Sequence, residues 1–110
     1  CYEVSQSYNK TWNGSISIHW GVAGNWTPSG VPTATDDLFI PSGTPFPCQV
    51  TTTSGSVSGY LTIGAGAVLQ VNMNCSLTCN ETLTISQDGT LTNYGTLQLK
   101  KHLVNQNTED

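Results

Sequence analysis

The stretch YLTIGAGAVLQVNMNCSLTCNETLTISQDGTLTNYGTLQL, residues 60–99, decides the fold because it contains one pattern twice. The equivalent positions, 22 residues apart, are Leu61-Thr62-Ile63 and Leu83-Thr84-Ile85, Leu69 and Leu91, and Leu77 and Leu99. Each copy is an alternating run, a Gly-containing corner and a second alternating run, and such alternation predicts strands with one buried face. A unit this short cannot bury its own apolar face, so it must stack on a copy of itself, which predicts a β-solenoid.

A fainter earlier copy extends the repeat towards the N-terminus. Leu38-Phe39-Ile40 lies 23 residues before Leu61-Thr62-Ile63, and Val50 lies 21 residues before Val71. Residues 38–104 are therefore interpreted as a short stack of repeat coils. An antiparallel β-sandwich with evenly spaced strands remains the alternative, since Leu and Thr are common throughout.

The composition limits the class of protein. The 110 residues suit one domain, only 9% are charged, and no segment has a sustained 3.6-residue periodicity, so the chain is expected to be all-β. The net charge is −4 with only three basic residues, which argues against a nucleic-acid groove or a polybasic membrane patch. No apolar run approaches the roughly 20 residues that span a bilayer.

The rest of the chain divides around the coils. Residues 1–11 are expected to form an N-terminal strand with Tyr2, Val4 and Tyr8 on one face, which pairs within its own domain or adds to a neighbouring subunit. Residues 12–37 are rich in Trp and residues 105–110 form a polar tail. Because the chain begins at Cys1 without Met, a processed product is expected.

Four cysteines, Cys1, Cys48, Cys75 and Cys79, form an even count in a small chain with few charges. No Cys-x-x-Cys pair is present, which argues against a zinc site and favours disulfides formed in an oxidising compartment. Three pairings are open. The favoured one joins Cys75 to Cys79 across a corner and Cys1 to Cys48, and Cys1 could instead be lipid-modified or bridge two chains.

A set of landmarks precedes the repeats: Trp12-x-Gly14, Trp20, Asn25-Trp26, Gly30-x-Pro32, Asp36-Asp37 and Ile40-Pro41-x-Gly43. Together with the repeats, residues 12–99 resemble the module that leads into stacked repeats in large secreted surface proteins and adhesins of Bacteroidetes-like bacteria. The resemblance implies a right-handed β-helical or solenoid-like fold, an extracellular setting and a scaffold or adhesive role, and it supplies no catalytic residues. Those proteins are long and poorer in cysteine, so this chain is expected to be a stand-alone subunit.

The three tryptophans, Trp12, Trp20 and Trp26, are expected to cap the open end of the coil stack, because such an end exposes apolar side chains and strand edges. The functional alternative is a platform on which sugars stack. Asp36-Asp37 is expected to close a turn or cap backbone amides, since no calcium-loop spacing surrounds the pair.

Five Asn-x-Ser/Thr sequons occur, at Asn9, Asn13, Asn25, Asn74 and Asn80. In a glycosylating secretory pathway several of them would carry N-linked glycans and would have to lie on the surface. Asn25 and Asn74 are the weaker candidates, because Trp26 of the expected cap and Cys75 stand inside their sequons.

No catalytic constellation stands out. The chain has two histidines and no arginine, no G-x-S-x-G motif, and no ligand set for a metal or cofactor. Asp36 and Asp88 could form a glycosidase pair only if the fold brought them together, and Asp88 is explained by its Asp-Gly corner. The chain is therefore not expected to be an enzyme.

These observations favour an extracellular structural glycoprotein whose copies assemble into a fibril, filament or surface layer through the N-terminal strand and the ends of the stack. The alternative is an adhesin or carbohydrate-binding module of a cell-surface protein.

Overall fold

Residues 9–51 and 56–105 are described by the computed structural model, and they form a β-solenoid of about three coils. The strands are β1 (Lys10–Trp12), β2 (Trp26–Thr27), β3 (Leu38–Ile40), β4 (Cys48–Val50), β5 (Ser56–Ser58), β6 (Leu61–Ile63), β7 (Val68–Val71), β8 (Ser76–Cys79), β9 (Leu83–Ile85), β10 (Thr90–Asn93), β11 (Thr96–Leu99) and β12 (Leu103–Asn105). A 3-10 turn, Ala23–Asn25, precedes β2. No helix in this part of the chain is long and apolar enough to cross a bilayer.

The strands build three sheets that form the faces of the solenoid. The first sheet has the order β12-β9-β6-β3-β1-β2, the second β10-β7-β4 and the third β11-β8-β5. Each coil gives one strand to each sheet, and equivalent strands of successive coils pair in parallel. Among these named strands only β1 and β2 pair antiparallel. The solenoid prediction is therefore confirmed, and the β-sandwich alternative is wrong.

The register follows the repeat in the sequence on the first sheet. Leu38 pairs with Leu61, Leu61 with Leu83, and Leu83 with Leu103. The first three of these leucines are completely buried. Since strand side chains alternate between faces, one inward leucine in a strand determines which of its other side chains point inward and which point outward. Vertical columns of inward side chains thus form the core.

One expected repeat position is wrong. Leu77 pairs with Leu97, whereas Leu99 pairs with Cys79. The reason is the corner between the second and third sheets, which has four residues (72–75) after β7 but only two (94–95) after β10. Because this corner is two residues shorter, β11 begins two residues earlier than the 22-residue repeat predicts. A shift of two keeps the inward and outward faces unchanged, so the alternation tolerates it.

The corners need residues that adopt left-handed backbone conformations. Gly66 (φ 77°), Asn74 (φ 66°) and Asp88 (φ 70°) all lie in corners between strands. Gly, Asn and Asp adopt the left-handed conformation with the least strain, so the local sequence explains these corners.

Gly95 gives a test of the corner geometry. A Cβ on Gly95 would collide with the carbonyl oxygens of Cys75 and Asn72 in the coil below, because the two corners stack closely. We expect Gly95→Ala to lower the free energy of unfolding by about 2–3 kcal/mol. Gly21→Ala is the control, because nothing lies within 4 Å of its Cβ position. Equal midpoints for the two variants in urea denaturation would contradict the close stacking.

Candidate functional site: the two ends of the coil stack

Residues 10–27 cover the first and second sheets at the N-terminal end of the stack, and β5 remains the edge strand of the third sheet. Strand β1 pairs with β3 on the first sheet. On the second sheet, residues 18–20 cover β4, since Gln49 N donates to Ile18 O (2.8 Å) and Trp20 N donates to Gln49 O (2.9 Å). The strand edges of β3 and β4 at this end are thereby hydrogen-bonded.

The three tryptophans form the apolar part of this cap. Trp12 and Trp20 both pack edge-on against Trp26, with ring centroids 5.2 and 5.1 Å apart. Their exposed fractions are 0%, 0% and 1% for Trp12, Trp20 and Trp26. The cap prediction is confirmed. The sugar-stacking alternative for these three residues is wrong, because no ring face is open to a pyranose.

Indole hydrogen bonds fix two of the three rings. Trp12 Nε1 donates to Phe46 O and Trp26 Nε1 donates to Trp20 O, both at 2.9 Å. Trp20 Nε1 is buried and has no hydrogen-bond partner within the described residues. Buried donors are normally paired, so Trp20 is the one unfavourable polar group in this cluster.

Asn25 holds the cap loop together from inside. Its Oδ1 accepts hydrogen bonds from Ile16 N and Ser17 N, both at 2.9 Å. Its Nδ2 donates to Ser17 Oγ (3.1 Å) and His19 O (2.9 Å). The side chain is completely buried and uses both donors and both acceptor positions. A glycan at Asn25 is therefore incompatible with this fold.

Asp36 and Asp37 brace the corner before β3, as expected. Asp36 Oδ2 accepts from Thr33 N (2.8 Å) and Asp37 Oδ1 accepts from Tyr60 N (3.1 Å). Partial burial opposes ionisation of Asp36, but the hydrogen bonds from Thr33 and Asn9 outweigh it and lower its pKa. In residues 9–51 and 56–105, no group of three His, Cys, Asp or Glu residues could hold a metal ion.

The structure does not bring Asp36 and Asp88 together. Asp36 lies at the corner between the third and first sheets of the first coil, and Asp88 lies at the next corner of the third coil. Two coil spacings alone separate them by roughly 10 Å along the stack. The glycosidase-pair alternative therefore has no geometric support.

The C-terminal end differs from the N-terminal end. No strand of the described chain pairs with the outer edges of β10, β11 and β12. Leu91 and Leu97 pair with the completely buried Leu69 and Leu77, yet both are only partly buried. Leu103 is 50% exposed at a position where earlier coils bury leucine completely. This end exposes both apolar side chains and strand edges.

The cysteines occupy core positions instead of forming the expected bridge. Cys48, Cys75 and Cys79 are buried and carry free thiols. A Cys75–Cys79 bridge is not formed, because four extended residues span about 13 Å, well beyond disulfide reach. Burial raises the pKa of Cys48 well above its usual value, so its thiol is unreactive. Cys1 lies outside the described residues, and with it the Cys1–Cys48 pairing.

The remaining sequons lie at or near the surface. Asn9 and Asn74 are exposed, and Asn13 and Asn80 are half-buried. Asn9 belongs to the domain itself, since its N donates to Asp37 O (3.0 Å). Residues 9–11 of the predicted N-terminal arm therefore pair within their own domain. Residues 1–8 are the part for which pairing with a neighbouring subunit stays a prediction, and they lie outside the described residues.

The fold and its ends define a β-solenoid capped at one end by a tryptophan cluster. The chain belongs to the family described as Domain of unknown function (DUF8693), whose pattern matches residues 11–108. Neither a search of curated proteins nor a search of solved structures finds a match. The family description names no activity, so the resemblance to bacterial adhesin modules stays an expectation.

Asn25 provides the first test of the cap. Replacing it with Ala removes four hydrogen bonds and leaves the backbone N–H groups of Ile16 and Ser17 without their acceptor, so we expect Asn25→Ala to lower the free energy of unfolding by about 3 kcal/mol. Gln87→Ala, at an exposed corner, should change it little. Chemical denaturation of both variants measures the difference, and similar stabilities would refute the role of Asn25.

The indole hydrogen bonds provide the second test. Trp26→Phe removes a paired donor and leaves Trp20 O unsatisfied, whereas Trp20→Phe removes a donor that has no partner. The two substitutions delete the same ring volume. We therefore expect Trp26→Phe to be more destabilising by about 1–2 kcal/mol, measured by thermal or urea unfolding. The reverse order would show that the hydrogen bond to Trp20 O is unimportant.

Proposed function

We propose that this chain is an extracellular structural glycoprotein that assembles head to tail into a fibril, filament or surface layer. The observation that carries the proposal is the difference between the two ends of the stack. Residues 10–27 cover the edges of β3 and β4 at one end, whereas no strand of the described chain pairs with the outer edges of β10, β11 and β12 at the other. The proposal assigns the chain no reaction and no cofactor.

An open solenoid end favours association for two physical reasons. The outer edges of β10 and β11, with which no described strand pairs, offer a template for another strand. The partly exposed leucines at this end, Leu91, Leu97 and Leu99, lose contact with water when another layer covers them, at roughly 25 cal/mol per Å² of apolar surface. Both terms favour the addition of a further β-layer.

The two ends are unlike, and this determines the geometry of assembly. Contact between different surfaces on neighbouring copies is heterologous, and it propagates as a filament unless the rotation closes a ring. The segment proposed to reach the open end of the next copy is residues 1–8, whose Tyr2, Val4 and Tyr8 alternate with polar residues. Asn9, which follows it, is anchored to Asp36 and Asp37 at the capped end.

The extracellular setting and the glycans rest on the sequence. Few charges, four surface-compatible sequons and the resemblance to secreted surface proteins support them. The alternative, a carbohydrate-binding module, has less support because the three tryptophans expected to bind sugar are buried. The pocket beside residues 41–44, at about 130 Å³, is also smaller than the roughly 300–1,000 Å³ of typical ligand sites.

The test compares wild type with three variants by sedimentation velocity and electron microscopy over a range of protein concentrations. Deleting residues 1–8 removes the proposed arm, and Leu103→Lys places a charge at the open end, so we expect both to remain monomeric. Val68→Lys is the matched control, because Val68 is also an exposed apolar residue (41%) but lies in the middle of the stack. It should polymerise like wild type.

Thermal unfolding of each variant confirms that the fold is intact before assembly is scored. A wild-type chain that stays monomeric at high concentration refutes the proposal. Polymerisation of Leu103→Lys to the wild-type extent shows that the open end is not the contact surface.

A further inference from the structure

Among the described residues, the two most exposed large apolar side chains share one corner of the solenoid. Met73 is 71% exposed and Tyr94 is 63% exposed. Met73 lies between β7 and β8, and Tyr94 lies between β10 and β11, directly in the next coil. The corners are hydrogen-bonded, since Tyr94 N donates to Val71 O (2.8 Å) and Thr96 N donates to Cys75 O (3.0 Å). Two exposed apolar side chains therefore lie on stacked corners at the side of the solenoid.

Asn74 lies in the same corner and begins the sequon Asn74-Cys75-Ser76. It is exposed, its backbone is left-handed (φ 66°), and its side chain makes no hydrogen bond to the described residues. Cys75 points into the core with a free thiol, so no disulfide blocks the middle of this sequon.

The other four sequons are more constrained. Asn25 is buried, as shown above. Asn9 Nδ2 donates to Asp36 Oδ1 (2.6 Å), Asn13 Nδ2 to Thr27 Oγ1 (2.8 Å) and Asn80 Nδ2 to Ala34 O (3.4 Å). A glycan replaces one hydrogen of this nitrogen and must leave the contact in place or break it. Asn74 is thus the sequon asparagine whose amide nitrogen is uncommitted.

We propose that Asn74 carries an N-linked glycan whose first sugars pack over Met73 and Tyr94. This inference rests on the proposed function as a secreted glycoprotein. In the modification, Asn74 Nδ2 bonds to C1 of a sugar carried by a lipid-pyrophosphate donor. The C1–O bond to pyrophosphate breaks, the leaving pyrophosphate keeps the electron pair, and the transferase accepts the proton from Nδ2.

The packing has a physical basis in the chemistry of both partners. A pyranose ring has an apolar C–H face, and the phenol ring of Tyr94 and the thioether of Met73 are broad apolar surfaces. Covering them removes apolar area from water while the sugar hydroxyls remain solvated. A glycan attached at Asn74, next to Met73 and one coil from Tyr94, is held at a high local concentration near both side chains, so weak contacts suffice.

The experiment uses the fact that Met73 is the only methionine. The chain is secreted from an N-glycosylating host, and glycopeptide mass spectrometry measures the occupancy of each sequon. Dilute hydrogen peroxide then oxidises Met73, and the rate is followed by mass. The glycosylated protein is compared with Ser76→Ala, which destroys the sequon but keeps Asn74 and its backbone. Thr82→Ala is the control, because it destroys the Asn80 sequon instead.

We expect Asn74 to be occupied, and Met73 to oxidise roughly two- to threefold faster in Ser76→Ala than in the glycosylated chain, because oxidation follows exposure. Thr82→Ala should not change the rate. An unoccupied Asn74 beside occupied sequons, or an unchanged rate in Ser76→Ala, overturns this inference but leaves the glycoprotein proposal intact. If every sequon is empty, both fail.

Discussion

The column of inward leucines on the first sheet is the constraint on which the rest of the structure depends. Leu38, Leu61 and Leu83 lie one above another, and each is buried only because a further coil covers it. A coil of about 22 residues has too little apolar surface to fold alone, so stability comes from contacts between coils. Leu103 continues the column without a described coil above it and is half exposed. Burial of each layer thus depends on the next coil, and the last layer lacks such a coil in the described chain.

The cap shows how this problem is solved at the other end. A strand edge can be covered only by groups that form hydrogen bonds and by side chains that exclude water. Residues 18–20 supply the hydrogen bonds on the second sheet. The tryptophan cluster supplies the side chains that exclude water. The loop that carries these groups has no regular strand pairing of its own. Four hydrogen bonds from the Asn25 side chain hold this loop together instead. The buried amide is needed because the backbone groups beside it would otherwise be unpaired.

Much of the fold could be predicted because alternation and a fixed interval are visible in the sequence. The vertical pairing of Leu61 with Leu83 follows directly from them. The pairing of Leu77 could not be predicted, because the length of a corner depends on backbone turns and not on side-chain periodicity. The role of the cysteines could not be predicted, for a different reason. An even count suggests bridges, yet Cys48 and Cys79 occupy inward positions that pair with leucines, where a thiol behaves as a small apolar side chain. Only the register distinguishes the two roles.

The site at the ends was predictable in part. Three tryptophans before a repeat indicate a cap, but nothing in their spacing says whether the rings face solvent, and burial decides against sugar stacking. The exposed C-terminal layer could not be seen at all, because its leucines follow the same pattern as those of buried coils.

The proposed glycan and the proposed assembly are physically compatible because they use different surfaces. The glycan is proposed to lie on lateral corners, at Asn74 and Tyr94, whereas the next copy is proposed to meet the outer edges of β10, β11 and β12. A chain with so few charges has little electrostatic repulsion to prevent side-by-side association of its β-faces. A bulky, hydrated sugar at a lateral corner would oppose that association and would leave the ends free to meet. Growth would then be restricted to the axis of the coil stack, which is the condition for a thin filament instead of an aggregate.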